Sequence, residues 1–211
     1  MNKLIILLTL ILGLYLPSKS QNLKKFEVTT MPLSLIDIGQ PHFRIGTKFF
    51  LSEKIALGTD IGIANDYLYY LNDAVSDYKY YSIRLEIDYS IIRTEQFNLY
   101  SGIEYYYYKR QNKLEHSYIE LNDGELIIFD GADYLKLKEG LNLKLGLSIY
   151  IKNFFVDFYA GAGYRRKYVE YSYINNGTYS ENHLGRFGYR NRIGFVQGFN
   201  ISAGLKAGFR F

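Results

Sequence analysis

The sequence predicts an all-β protein: an antiparallel up-and-down transmembrane β-barrel of about eight strands, preceded by a cleaved signal peptide. Three observations predict it. Apolar residues recur at every second position through one stretch after another, which is the period of a strand with one greasy and one polar face. The connections between those stretches alternate between very short and long. The longest apolar run, Leu4 to Leu16, is 13 residues, too short to cross a bilayer as a helix.

That run has the make-up of a signal-peptide core. Lys3 supplies the positive start, and Pro17-Ser18-Lys19-Ser20 a break with small residues at the positions a peptidase needs. Cleavage is expected after Ser20, which leaves residues 21–211 as one barrel domain. The chain has 0 Cys. That rules out a lipoprotein anchor, disulfides, thiolate metal sites and thiol catalysis. Without Lys3 and Lys19 the net charge falls from +4 to +2, too near balance for nucleic-acid binding. Aromatics make up 18%, as 23 Tyr and 14 Phe with 0 Trp. A wealth of Tyr fits belts at membrane–water interfaces, where the ring is buried and the hydroxyl wet.

Phe26 to Ile36 is expected to be an irregular first strand. Phe26 and Val28 share one parity, Met31, Leu33 and Leu35 the other, and Pro32 lacks a donor. Phe43 to Leu51 and Ile55 to Ile63 alternate cleanly about the tight turn Ser52-Glu53-Lys54, forming a hairpin. Asn65 to Lys79 reads as a long connection. Tyr81 to Ile91 and Phe97 to Tyr107 flank the short turn at Arg93–Gln96. Lys109 to Asp133 reads as the longest connection, with an internal hairpin around Asn122-Asp123-Gly124. Leu141 to Ile151 alternates most cleanly. Lys152-Asn153 turns the chain into Phe154 to Tyr168, Ser172 to Gln197 is a third long connection, and Ile201 to Phe211 is the final strand. Short turns at one end and long loops at the other are the habit of barrels that cross an outer membrane.

In lipid every backbone group must be bonded internally, which leaves helices or closed barrels. The apolar faces then meet acyl chains and the polar faces a lumen only wide enough for side chains. The lumen set is Arg44, Lys48, Asp60, Arg84, Glu86, Asp88, Glu104, Lys144, Asp157, Arg165, Lys206 and Arg210. Charges of one sign could not share so narrow a space, so the mixture implies a paired network and a plugged lumen.

The leader, the alternating strands, the loop asymmetry and the aromatic terminus together resemble the small OmpA/OmpX-type Gram-negative outer-membrane barrels. The resemblance implies an outer-membrane location and insertion by the barrel assembly machinery. The strand ending Phe209-Arg210-Phe211 resembles that machinery's recognition signal, with Phe209 and Phe211 as its aromatic positions. The absence of Trp and the irregular first strand depart from the pattern.

Catalytic chemistry is not legible. His42, His116 and His183 are expected in solvated outer turns and loops, without metal-ligand spacing. His116-Ser117 with Glu115 or Glu120 could suggest a lipid-modifying enzyme, but neighbours on an extended chain point to opposite sides. Asp60, Glu86, Asp88 and Glu104 are more simply partners of the inward cations than an acid/base set. No cofactor is expected. Arg165, Arg166, Lys167, Arg186, Arg190 and Arg192 are placed near the outer rim, where they could hold lipopolysaccharide phosphates. The expected role is a monomeric structural or surface-interaction barrel, with outer-membrane lipid as its partner. The alternatives are a narrow channel for small solutes, a lipid-modifying barrel enzyme, or a soluble lipocalin-type barrel, which would need an apolar interior.

Overall fold

A sheet with one apolar and one charged face hides the second face completely if it curls until its first and last strands meet. The computed structural model describes residues 25–37, 40–68, 75–120, 126–180 and 193–211, and in them the first and last strands pair. The strands are β1 (Phe26–Thr30), β2 (Phe43–Phe50), β3 (Ile55–Ala64), β4 (Val75–Arg93), β5 (Phe97–Glu120), β6 (Leu126–Ile151), β7 (Phe154–Asn175), β8 (Thr178–Ser180) and β9 (Gly194–Arg210). Eight of them form an antiparallel up-and-down ring, each paired with its sequence neighbour, and β9 pairs with both β7 and β1. The three-residue β8 pairs with β6 alone, beyond the end of β7.

Following paired residues around the ring shows how the strands lean. From Phe209 on β9 the pairs run through Val28, Thr47, Thr59, Leu85, Tyr105, Leu141 and Tyr164, and return to β9 at Phe199, ten positions away. With eight strands ~4.8 Å apart and a rise of ~3.4 Å per residue, that offset requires a tilt of about 40° and a backbone radius of about 8 Å. Every residue on that path faces outward, and the row below it, which includes Lys48, Glu86, Glu104 and Asn142, faces inward. Inward glycines on β2, β3, β5, β6, β7 and β9 make room in so narrow a tube. A Cβ on Gly146, for example, would lie 2.2 Å from the Tyr100 ring.

Two expectations need correction. The first strand stops at Thr30 instead of running to Ile36, because Pro32 opens a 3-10 turn, Pro32–Ser34, in which Leu35 N–H bonds to Pro32 O. The long outer connections are largely strand. β5 and β6 pair beyond the ring as far as Glu120↔Leu126, around an Asn122-Asp123-Gly124 segment that lies outside the described residues. β4, β7 and β9 likewise extend further outward than alternation alone indicated. The extensions escaped notice because their outer faces are no longer uniformly apolar. The expected signal peptide, residues 1–20, also lies outside the described residues.

The outer face carries a continuous apolar band. Leu141, Leu143, Leu145, Leu147, Ile149 and Ile151 on β6 are all exposed, as are Ile61, Ile63, Leu85, Ile87, Ile103, Phe158 and Ile201 on other strands. From Leu141 to Ile151 the band is about 26 Å tall at the tilt above. Tyr81 and Tyr164 rim it above, and Phe26, Phe154, Phe209 and Phe211 below, where Phe154 and Phe209 stack edge to face at 5.7 Å. Above the band the outward positions turn polar, as in the Arg166–Glu139 pair, whose Nε–Oε1 distance is 2.9 Å.

Candidate functional site

The lumen holds the chain's buried chemistry, because inward-facing alternate positions on all eight ring strands converge there. At the lower mouth, beside the tight turns, Tyr150 OH donates to Glu27 at 2.9 Å. The Arg210 guanidinium covers the Tyr150 ring at 4.1 Å and donates to Lys152 O and Glu95 O at 2.8 and 2.9 Å. Arg93 stacks on Phe50 at 3.5 Å.

At mid-height, cations and carboxylates alternate. Lys206 Nζ donates to Asp60 and Glu86, both at 2.8 Å. Lys144 Nζ stands 2.8 Å from the other Glu86 oxygen and 4.0 Å from Glu104. Lys48 is 2.8 Å from Asp88, and Arg84 3.1 Å from Glu104. The Lys48 and Lys144 contacts are close ion pairs whose angles fall outside hydrogen-bond geometry, since the Asp88 oxygens and Lys144 Nζ make no hydrogen bond. Asp157 accepts from Tyr100 OH and Ser148 Oγ at 2.9 Å each, and Asn142 donates to Glu104 at 2.9 Å. Charges this deeply buried are tolerable only when paired and hydrogen-bonded, and breaking one pair is expensive.

Above this layer the balance shifts. Arg110, Lys136, Lys138 and Lys167 stand near the outer mouth, at inward positions above the apolar band. Burial, with Arg110 and Lys167 nearby, pushes the Lys136 ammonium down to about 7. Burial and Arg165 push Lys138 down to about 8, and it donates to Asn200 at 3.0 Å. The unfolded chain therefore binds more protons than the folded one between about pH 7 and 10.5, so Lys136 makes stability rise with pH across that window. We expect Lys136→Gln to flatten that rise, read as the urea midpoint of the refolded barrel at pH 7 and pH 9.5. An unchanged slope would show that Lys136 is not the titrating group.

Below this mouth lies a cavity of about 310 Å³, lined among others by Met31, His42, Arg44, Ser82, Tyr106 and Lys138. Arg44 Nη1 donates to Met31 Sδ at 2.8 Å, and Nη2 to His42 Nε2 at 2.7 Å. Gln40 O can only accept, so His42 carries its proton on Nδ1, 2.7 Å away. His42 is thus not a solvated loop residue: it is buried, its ring 4.5 Å from Tyr80 and its backbone N–H bonded to Ser34 O. It shares the inward parity of Arg44, and the folded-back 3-10 turn, invisible to a strand pattern, covers it.

Of the lumen set read from alternation, Lys48, Asp60, Arg84, Glu86, Asp88, Glu104, Lys144, Asp157 and Lys206 come together in one layer, while Arg44, Arg165 and Arg210 stand toward the two mouths. The pleat divides the basic rim. Lys167 is buried, whereas Arg166 faces out to Glu139. His183, Arg186, Arg190 and Arg192 lie outside the described residues. His116 is exposed, 3.8 Å from Asp130. Sequence reasoning overlooked Glu27, Asn200 and the lumen tyrosines other than Tyr150, while Asn142 and Tyr150 shared the inward face of Leu141 to Ile151 but were given no role. Tyr100, Tyr106, Tyr108, Tyr150 and Tyr159 are buried inside instead of girdling the outside. Their parity in the strands marked them, but composition alone suggested belts.

Fold and site define a closed eight-stranded barrel, greasy outside and ionic inside. No family model and no curated protein matches the chain. Among solved structures it is similar to the crystal structure of Acinetobacter baumannii CarO, at 9% sequence identity and a TM-score of 0.45, over 92% of this chain and 100% of that chain.

Proposed function

We propose that the protein is an integral outer-membrane β-barrel with an ion-paired, plugged lumen, serving a structural or surface-interaction role and not catalysis. The observation that carries this reading is the inversion of polarity. Leu143 is 69% exposed while its neighbour Lys144 is 2% exposed, and the same inversion repeats around the ring. Monomers in water rarely expose contiguous apolar patches beyond a few hundred Å². A band about 26 Å tall around the whole barrel matches a hydrocarbon layer instead. The expected leader would export the chain, the aromatic terminus Phe209–Phe211 would engage the assembly machinery, and outer-membrane lipid would surround the band. Arg166 would face lipopolysaccharide phosphates. The mid-height ion pairs favour a plugged lumen over a channel, and the barrel is read as a monomer.

Membrane fractionation with a heat-modifiability gel tests the class. The expected result is partition with the outer membrane and a mobility that changes on boiling. A soluble periplasmic protein with no shift would overturn it. In planar bilayers the refolded barrel should carry no steady current, and a stable conductance would refute the plug.

A further inference from the structure

We propose that the upper lumen binds the carboxylate of a single-chain anionic amphiphile, held on Arg44 and reached sideways through a gap in the barrel wall. The first observation is an unbalanced charge. Arg44 is 3% exposed, yet its contacts are a thioether and a neutral imidazole, and its Nε has no partner. Among the described residues no carboxylate lies within 4.0 Å of it, although Arg84, Lys48, Lys144 and Lys206 in the same lumen each have one. A buried guanidinium without an anion is costly, and a ligand's carboxylate or phosphate removes that cost by a fork-like pair. Two more groups in the cavity, Ser82 Oγ and Tyr106 OH, are buried without partners. Ser82 Oγ and Arg44 Nε converge on Gly62, where a Cβ would lie 2.4 Å from the Ser82 hydroxyl, 2.9 Å from the His42 ring and 3.6 Å from Arg44 Nε, so these groups close in over a position that only glycine fits.

The second observation is the wall itself. β9 pairs with β7 from Phe154↔Phe209 to Val169↔Gly194, but with β1 only from Glu27↔Arg210 to Thr30↔Ala207. Above Ala207 its other edge faces the Pro32–Ser34 turn, and among the described residues no backbone hydrogen bond joins Pro32–Asp37 to β9. In a bilayer such an unpaired edge is tolerated only where it borders protein or a polar cavity. The Arg44 cavity lies there, and Leu33, Ile201 and Ala203 from the outer face also line it. Apolar flanks around a passage to a lone cation suit a chain with one anionic end. They do not suit a small hydrophilic solute. A volume of about 310 Å³ admits a head group and the start of its chain.

The sideways route rests on the membrane reading above, whereas the uncompensated cation stands without it. The test is carbon NMR of [1-¹³C]dodecanoate added to the barrel refolded in a non-ionic detergent. A second carboxyl resonance is expected, saturating at one per barrel. Arg44→Gln should weaken it about tenfold or more and Arg44→Lys should restore part of it, with both variants keeping their heat-modifiable mobility. [1-¹³C]Butanoate should produce no such resonance. If dodecanoate gives only the micellar signal, or Arg44→Gln leaves the bound signal unchanged, the site is refuted. If butanoate saturates the site equally well, the ligand is a small soluble anion and the lateral route is refuted. A barrel that shows the gel shift but no bound resonance loses this site alone. A soluble protein that shows the resonance loses the membrane reading alone.

Discussion

Replacing Glu86 with Ala should destabilise the folded barrel by about 3–5 kcal/mol, the usual consequence of stranding a buried charge. Glu86 takes one oxygen to Lys206 and the other to Lys144, both at 2.8 Å, and is itself 2% exposed. Lys206 would keep Asp60 at 2.8 Å, but Lys144 would be left with only Glu104, at 4.0 Å. Urea titration of the barrel refolded in neutral lipid vesicles measures the loss. Adding Lys144→Met to Glu86→Ala should recover part of the midpoint, because the stranded charge goes with the ammonium. If the double variant is as unstable as the sum of the two single ones, the pair is not coupled and the lumen is not a charge-balanced plug.

Leu143→Arg should cost about 1–3 kcal/mol in vesicles, between the roughly 2–4 kcal/mol for a cation on the lipid face at the bilayer midplane and the roughly 0–1 kcal/mol near the interface, since Leu143 lies about 5 Å inside the upper edge of the band. Leu143 is 69% exposed, so in a water-soluble protein the same change would fall within about 0.5 kcal/mol. The two environments therefore predict outcomes that do not overlap. Refolding yield and urea midpoint of the variant in vesicles decide between them, and Lys109→Arg, above the band on β5, is the control. A neutral Leu143→Arg would mean that water, not acyl chains, covers the outer face.

The two substitutions probe the parts of the molecule that were most legible before any tertiary information. Leu141 to Ile151 alternates so strictly that its direction and both its faces followed from residue types alone. The mid-height lumen residues followed with it, since strand parity assigns a face without reference to any partner. Parity does not reveal partners. That Lys206 on β9 reaches Glu86 on β4 depends on how the closed ring brings distant strands across a narrow tube. Tyr100 and Tyr159 had the right parity for the lumen, yet tyrosine is equally at home at an interface, so composition pointed outward.

Local sequence by itself determined that this chain makes long two-faced antiparallel strands joined by tight turns at one end, because alternation and turn chemistry act over a few residues. Only the tertiary structure decided the ten-residue offset of closure, the early end of β1 at Thr30 and the burial of His42. Each of these depends on residues far apart in the chain meeting across the ring. Their energies come from closing one ladder around a tube about 8 Å in radius, which no short stretch of sequence encodes.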